Sequence, residues 1–203
     1  MKLFWSSRSP FVRKVMVAAH EAGVAARIKT ERVVVSSTAL NPDVMAVNPI
    51  NKIPTLVADD GTVIYDSRAI CEYFDFLAGG SKLFPTEPAA RWRALRWQSL
   101  GDGMMEMIVL RLAETKRNVP SEPHLIAFRQ KIASALDSLE ADAGVFATAP
   151  ITVGHVSIAA AIGHLEFRFA DDQWRNGRPQ FAAWYVEFSA RPSMRATEYQ
   201  DVY

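Results

Sequence analysis

Residues 6–11 read SSRSPF, which places three hydroxyls, a guanidinium and a proline side by side. A plain turn needs fewer hydroxyls. A loop that steadies a reactive sulfur or an anion would use all of them, because each hydroxyl donates one hydrogen bond. A second stretch, NPINKIPTLVADDGTVIYDSRAI at 48–70, holds two further groups. Ile53-Pro54 falls where a strand begins, and a proline there removes a ladder donor. If that bond is cis, the Ile53 backbone turns outward and is able to pair with a peptide-like ligand. Further on, Asp66-Ser67 opens a helix whose free N–H groups and positive dipole end favour a carboxylate. Asp66 accepts from an ammonium at the same time, so an amino-acid zwitterion satisfies both residues. Each piece alone is ordinary structure: Asp-Ser before an apolar helix is an N-cap, and Ile-Pro is a turn. Their order in one chain, after SSRSPFVRK, favours a site.

The elements that must position these groups follow from periodicity. Lys2 to Trp5 is a short strand. Pro10 suits a first helical turn, Val12, Val15, Met16 and Ala19 recur at helical spacing, and Gly23 ends that helix. RIKTERVVV (27–35) is β-branched and predicts a second strand. Thr55–Ala58 and Thr62–Tyr65 are two more strands about the turn DDG. Asp66 and Ser67 then start a helix that turns Ile70, Phe74 and Leu77 inward. The order is β-α-β, a short helix or loop, then β-β-α, which predicts one four-stranded mixed sheet with helices on its faces. AGGSKLFPTEP (78–88) has linker composition. Beyond it strand signals stop. A helix from about Pro88 carries Leu95, Leu100, Met104, Ile108 and Leu112; another carries Leu125, Phe128, Ile132, Leu136 and Leu139. Further helices are expected at 152–169 and 178–190. The expected organisation is an α/β domain at 1–80 and an all-α domain at 87–203.

Charge excludes some functions. With 23 Lys+Arg against 22 Asp+Glu the net charge is +1, which lacks the basic excess of a nucleic-acid binder. Cys71 is the single cysteine, so no internal disulfide or cysteine metal cage forms, and a lone thiol suits a reducing compartment. The N-terminus lacks the long apolar core of a signal peptide, and no run reaches the ~18 apolar residues of a membrane span. The expectation is a soluble, cytoplasmic protein without nucleic-acid or membrane partners. The histidines at 20, 124, 155 and 164 show no metal-ligand spacing, and no glycine-rich phosphate loop is present, so neither a metal nor a nucleotide cofactor is expected.

SPFVRKV, NPINKIPTL, YDSRAICEYF and ARPSMRAT together resemble a cytosolic glutathione transferase of the bacterial, theta-like serine type, over nearly the whole chain. The resemblance implies a thioredoxin-like N-terminal domain, an all-α C-terminal domain that carries the electrophile pocket, and a homodimer. It implies glutathione as co-substrate and conjugation of its thiolate to a small electrophile, a detoxifying activity. By position Ile53, beside Pro54, pairs its backbone with the cysteinyl part of glutathione. Asp66 and Ser67 hold the γ-glutamyl end, Lys52 and Arg68 add charge, and Phe11 lines the site. Glu106 stands where a partner subunit's acid approaches the glutathione amine. Met-rich MMEMIVLR (104–111), ordinarily core, would border the electrophile pocket. A glutathione-binding or interaction module that kept the fold and lost catalysis is the alternative.

Ser9 then becomes the catalytic candidate. An unperturbed thiol has a pKa of ~8.5, so only a few per cent is thiolate at neutral pH. Lowering it by about two units asks the site for roughly 2.7 kcal/mol. One charge-assisted hydrogen bond plus the dipole of the helix beginning near Pro10 is of that size. Ser6 and Ser7 remain alternatives, and Ser9 also fits as a plain helix cap. Serine at 9 disfavours disulfide exchange, which needs a thiol. Cys71 is expected to be an apolar filler within its helix. Family members usually place an acid at the third position of the helix after Thr152, and here that position is His155. From sequence, an acid at 155 is expected to stabilise the fold.

Overall fold

The computed structural model describes residues 1–36 and 38–200. It divides into two compact units, Met1–Arg91 with the tail from Ala196, and Trp92–Arg195.

The first unit holds β1 (Lys2–Trp5), α1 (Pro10–Ala22), β2 (Lys29–Arg32), α2 (Pro42–Met45), β3 (Thr55–Val57), β4 (Val63–Ile64) and α3 (Ser67–Leu77). The sheet order is β2-β1-β3-β4, with β1 and β2 parallel and the other two pairings antiparallel. This is the expected four-stranded mixed sheet of a thioredoxin-like fold. Leu3 and Phe4 point to opposite faces and both are buried, so both faces of the sheet are covered. Phe4 packs with Val33 and Val44 on one of them. α1 starts at Pro10 and stops at Gly23, whose φ of 82° needs no Cβ penalty. There the N–H groups of Gly23 and Val24 close on the carbonyls of His20 and Ala19. The second strand is shorter than the β-branched run at 27–35, because β1 supplies partners only from Lys2 to Trp5. Past Arg32, the Val33 N–H still reaches the Trp5 carbonyl before the pairing ends.

The stretch at 78–88 is tied down more firmly than its composition suggests. The buried Asp75 carboxylate accepts from the Leu83 N–H at 2.5 Å, and Leu83 and Phe84 are buried.

The second unit is helical: most of α4 (Pro88–Thr115), α5 (Glu122–Ala141), α6 (Ala143–Thr148), α7 (Val153–Arg168), α8 (Pro179–Ser189) and α9 (Pro192–Arg195). α7 is buried continuously from Val153 to Leu165. A Cβ on Gly101 of α4 would lie 2.6 Å from the Ser157 carbonyl carbon, so the two helix backbones meet there. The buried stripe of α4 is not the leucine series. Leu95, Leu100 and Leu112 are half-buried, whereas Trp97, Gln98, Gly101, Asp102 and Arg111 are buried with Met104, Met105 and Ile108. Arg111 is tolerated inside because Asp172 takes both of its terminal nitrogens and the Phe169 ring lies 3.7 Å from its guanidinium.

His155 reverses a sequence expectation. Its Nδ1 accepts from the Thr152 backbone N–H at 3.1 Å, completing the capping box that the missing acid would have made. Its Nε2–H donates to the Phe146 carbonyl at 3.1 Å. The ring is 1% exposed and packs against Trp97, Phe146 and Phe188. Burial pushes its pKa down to about 4. A neutral imidazole is therefore both cap and core, and an acid there would not stabilise the fold.

Among the described residues no helix is long and apolar enough to cross a membrane, and no group of three or more His, Cys, Asp or Glu is placed to hold a metal ion.

Candidate functional site

Strand register brings three loops to one end of the sheet. Phe4 pairs with Thr55, so the loop leaving β1, Ser6–Ser9, lies beside the segment entering β3, Ile53-Pro54. Ile64 pairs with Leu56, so the chain leaving β4 for Asp66 and Ser67 arrives at the same end. Residues far apart in sequence thus surround one place. That convergence is what antiparallel pairing about a short β3 imposes.

Ser9 is the N-cap of α1, and its Oγ accepts from the Val12 N–H at 3.3 Å. This bond uses an oxygen lone pair and leaves the hydroxyl proton for another acceptor. Capping and donation to a ligand sulfur are therefore compatible. Ser7 is placed differently. Its hydroxyl donates to the Gln200 carbonyl at 2.9 Å, and the Gln200 N–H returns to the Ser7 carbonyl at 3.4 Å. The Ser6 oxygen accepts from the Arg8 N–H at 3.3 Å. Phe11 is half-buried in the first turn of α1.

Buried Asn48 shapes the second loop: its amide donates to the Lys52 carbonyl at 3.1 Å and to Thr55 Oγ1 at 2.9 Å. The Lys52 side chain is exposed and Ile53 half-buried. The Ile53–Pro54 peptide bond is cis, as is Tyr65–Asp66. In the third loop Asp66 caps α3, one carboxylate oxygen accepting from the Arg68 N–H at 2.9 Å. Asp66 and Arg68 are exposed and Ser67 is buried. Glu106, on α4 in the helical unit, is exposed. Of the methionines beside it, Met104 and Met105 belong to the core and Met107 is half-buried. Cys71 is fully buried.

The family model described as the glutathione S-transferase N-terminal domain matches residues 8–76, a span that takes in Ser9, Ile53-Pro54 and Asp66-Ser67. Over 98% of both chains the sequence is 30% identical to the uncharacterized GST-like protein YibF of Escherichia coli (strain K12). The chain belongs to the glutathione transferase family. Solved members of the family superpose closely. A glutathione transferase family member from Pseudomonas fluorescens Pf-5 with bound glutathione is 41% identical over 98% of each chain, with a TM-score of 0.93. A structure of a family member from the same organism with bound S-(propanoic acid)-glutathione is 41% identical over 98% of this chain and 100% of that one, at 0.88.

Sequence reasoning passed over Lys14. Within an amphipathic helix a lysine is expected to face solvent, yet Lys14 is fully buried and its Nζ lies 3.3 Å from Ser67 Oγ. No local pattern marks it, because α3 supplies its cover.

Proposed function

We propose that this protein is a glutathione transferase that binds glutathione at the end of its sheet and conjugates the thiolate to a small electrophile. One observation carries the reading: Ser9, Ile53-Pro54 and Asp66-Ser67 converge at one sheet end in a chain 41% identical to a family member that holds glutathione. Ser9 donates its hydroxyl proton to the sulfur and so favours thiolate over thiol. Ile53 pairs its backbone with the cysteinyl residue beside Pro54. Asp66 keeps one oxygen for capping and offers the other to the glutathione amine, while Ser67 and the first turn of α3 receive the γ-glutamyl carboxylate. Lys52 and Arg68 add positive charge, and Phe11 lines the site. The thiol proton leaves to solvent when glutathione binds. The thiolate lone pair then forms the C–S bond as a leaving group departs with its electron pair or, at an activated double bond, as the displaced π pair takes up a proton from solvent. No metal or other cofactor takes part. The domain at 1–80 binds glutathione and the all-α domain at 87–203 carries the electrophile pocket. The working form is a cytoplasmic homodimer in which Glu106 of one subunit approaches the glutathione amine of the other, and the activity is detoxifying.

Retention on immobilised glutathione, followed by conjugation assays with several electrophile classes, tests this. Binding with turnover is the expected outcome. Binding without turnover on any electrophile would leave a glutathione-binding module, and no retention would reject both.

Asp66→Asn should raise the glutathione Kd about tenfold, the scale of one charge-assisted hydrogen bond, while leaving the α3 cap in place. Asp66→Ala should lose both, and its melting temperature should fall as well. Calorimetry on Asp66→Asn giving an unchanged Kd would remove Asp66 from the site.

A further inference from the structure

We propose that Lys14 is a positioning residue for the carboxylate at Ser67: it fixes the direction of the Ser67 hydroxyl and adds a buried positive charge beneath the first turn of α3. This rests on the proposed glutathione site and names the group that sets its carboxylate selectivity.

Lys14 is fully buried, and lysines are almost never so unless their head groups are partnered. Its Nζ stands 3.3 Å from Ser67 Oγ in a buried contact between α1 and α3. A lysine ammonium carries donors and no acceptor. In this bond the Ser67 oxygen must accept, and the Ser67 proton is left to be donated away from Lys14. A serine without such a neighbour rotates its hydroxyl to suit any partner, so Lys14 converts an adaptable group into a donor. The charge acts in the same sense. Helix N–H groups and the dipole already favour an anion at the start of α3. A cation out of water adds to that field more strongly than an exposed one. Exposed Lys52 and Arg68, by contrast, are screened by solvent and salt. The ligand class that gains is one with a carboxylate next to the amine held by Asp66, which is the γ-glutamyl end of glutathione.

The test compares two ligands by calorimetry. One is glutathione. The other has 4-aminobutyrate in place of the γ-glutamyl group, so it keeps the amine and lacks the carboxylate. Lys14→Met, which preserves length and removes charge and donors, should weaken glutathione about fivefold and change the second ligand less than twofold. Lys14→Arg should recover most of the lost glutathione affinity. Equal weakening of both ligands would overturn the proposal, since a merely structural lysine predicts that. Wild-type retention of glutathione with unchanged binding by folded Lys14→Met would overturn it while leaving the proposed function standing. A wild type that does not bind glutathione would overturn both. Ser67→Ala keeps the proposal falsifiable if lysine variants do not fold. It should show the same loss for glutathione and not for the carboxylate-free ligand, and wild-type affinity for both would reject the assignment.

Discussion

His155→Asp should destabilise the protein by about 4 kcal/mol and lower its melting temperature by roughly 10 °C. An acid in a first helical turn ordinarily adds ~0.3–1 kcal/mol, and taken alone that predicts the opposite sign. The imidazole already makes the capping bond to the Thr152 N–H, so an aspartate regains at best what it replaces. Against that stands the loss of a ring packed among Trp97, Phe146 and Phe188, and of the bond to the Phe146 carbonyl. The cavity costs a few kcal/mol, and a carboxylate left there would be a buried charge facing aromatic rings. Packing and desolvation outweigh the dipole.

The pH dependence follows from the same burial. An unfolded histidine titrates near ~6.5 and folded His155 near about 4. Between these values the unfolded chain binds the proton and the folded one does not, so stability falls as pH falls. The full contribution is present above about pH 6.5, and about 3 kcal/mol is lost on descending to pH 4. Denaturant unfolding of wild type and His155→Gln across that range isolates the effect: the gap between them should narrow towards pH 4. A His155→Asp protein that melts at or above wild type would show that this ring is not core.

Ser9→Ala should slow conjugation about 20-fold at neutral pH and raise the glutathione Kd there only about fourfold, the part linked to the thiol pKa. If Ser9 supplies most of a two-unit depression of the bound thiol, its loss takes the sulfur from mostly thiolate to a few per cent at pH 7. The ligand's charged ends are held by Asp66, Ser67 and Lys52, so the thiol form should bind nearly as before and affinity at about pH 7 should change only through the thiolate fraction. The defect should fade above about pH 9, where any thiol ionises. One complication is structural: Ser9 caps α1, and alanine gives up that bond at a cost of about 1 kcal/mol. Ser9→Gly costs the helix only a few tenths yet also lacks the hydroxyl, so both variants should share one pH–rate profile. Ser9→Cys should conjugate poorly and gain disulfide exchange. Thiolate absorbance of the glutathione complex against pH decides the assignment. Curves that superimpose for wild type and Ser9→Ala would pass the role to Ser6 or backbone donors. Ser7 is the weaker substitute because its proton is given to Gln200.

Elements with local signals were legible in the sequence. Proline at the first turn, Ser9 and Asp66 as caps, Gly23 past the helix end, and the DDG turn act within a few residues, so α1, α3 and the β3–β4 hairpin lie close to where the pattern placed them. Family motifs carried the rest of the fold, because the residues that shape a ligand loop are contiguous. What depends on distant chain was not legible. The buried stripe of α4 contains Gln98, Asp102 and Arg111, which no hydrophobic period selects, since their cover comes from other helices. His155 looked like a flawed cap because its aromatic neighbours stand on α4, α6 and α8. Lys14 carries no local mark of its burial, because its cover comes from α3. The sequence by itself determined the elements, their ends and the family, all set by short-range sterics, capping and periodicity. Only the tertiary structure decided which polar groups are buried and what they face, because desolvation depends on packing that local spacing does not encode.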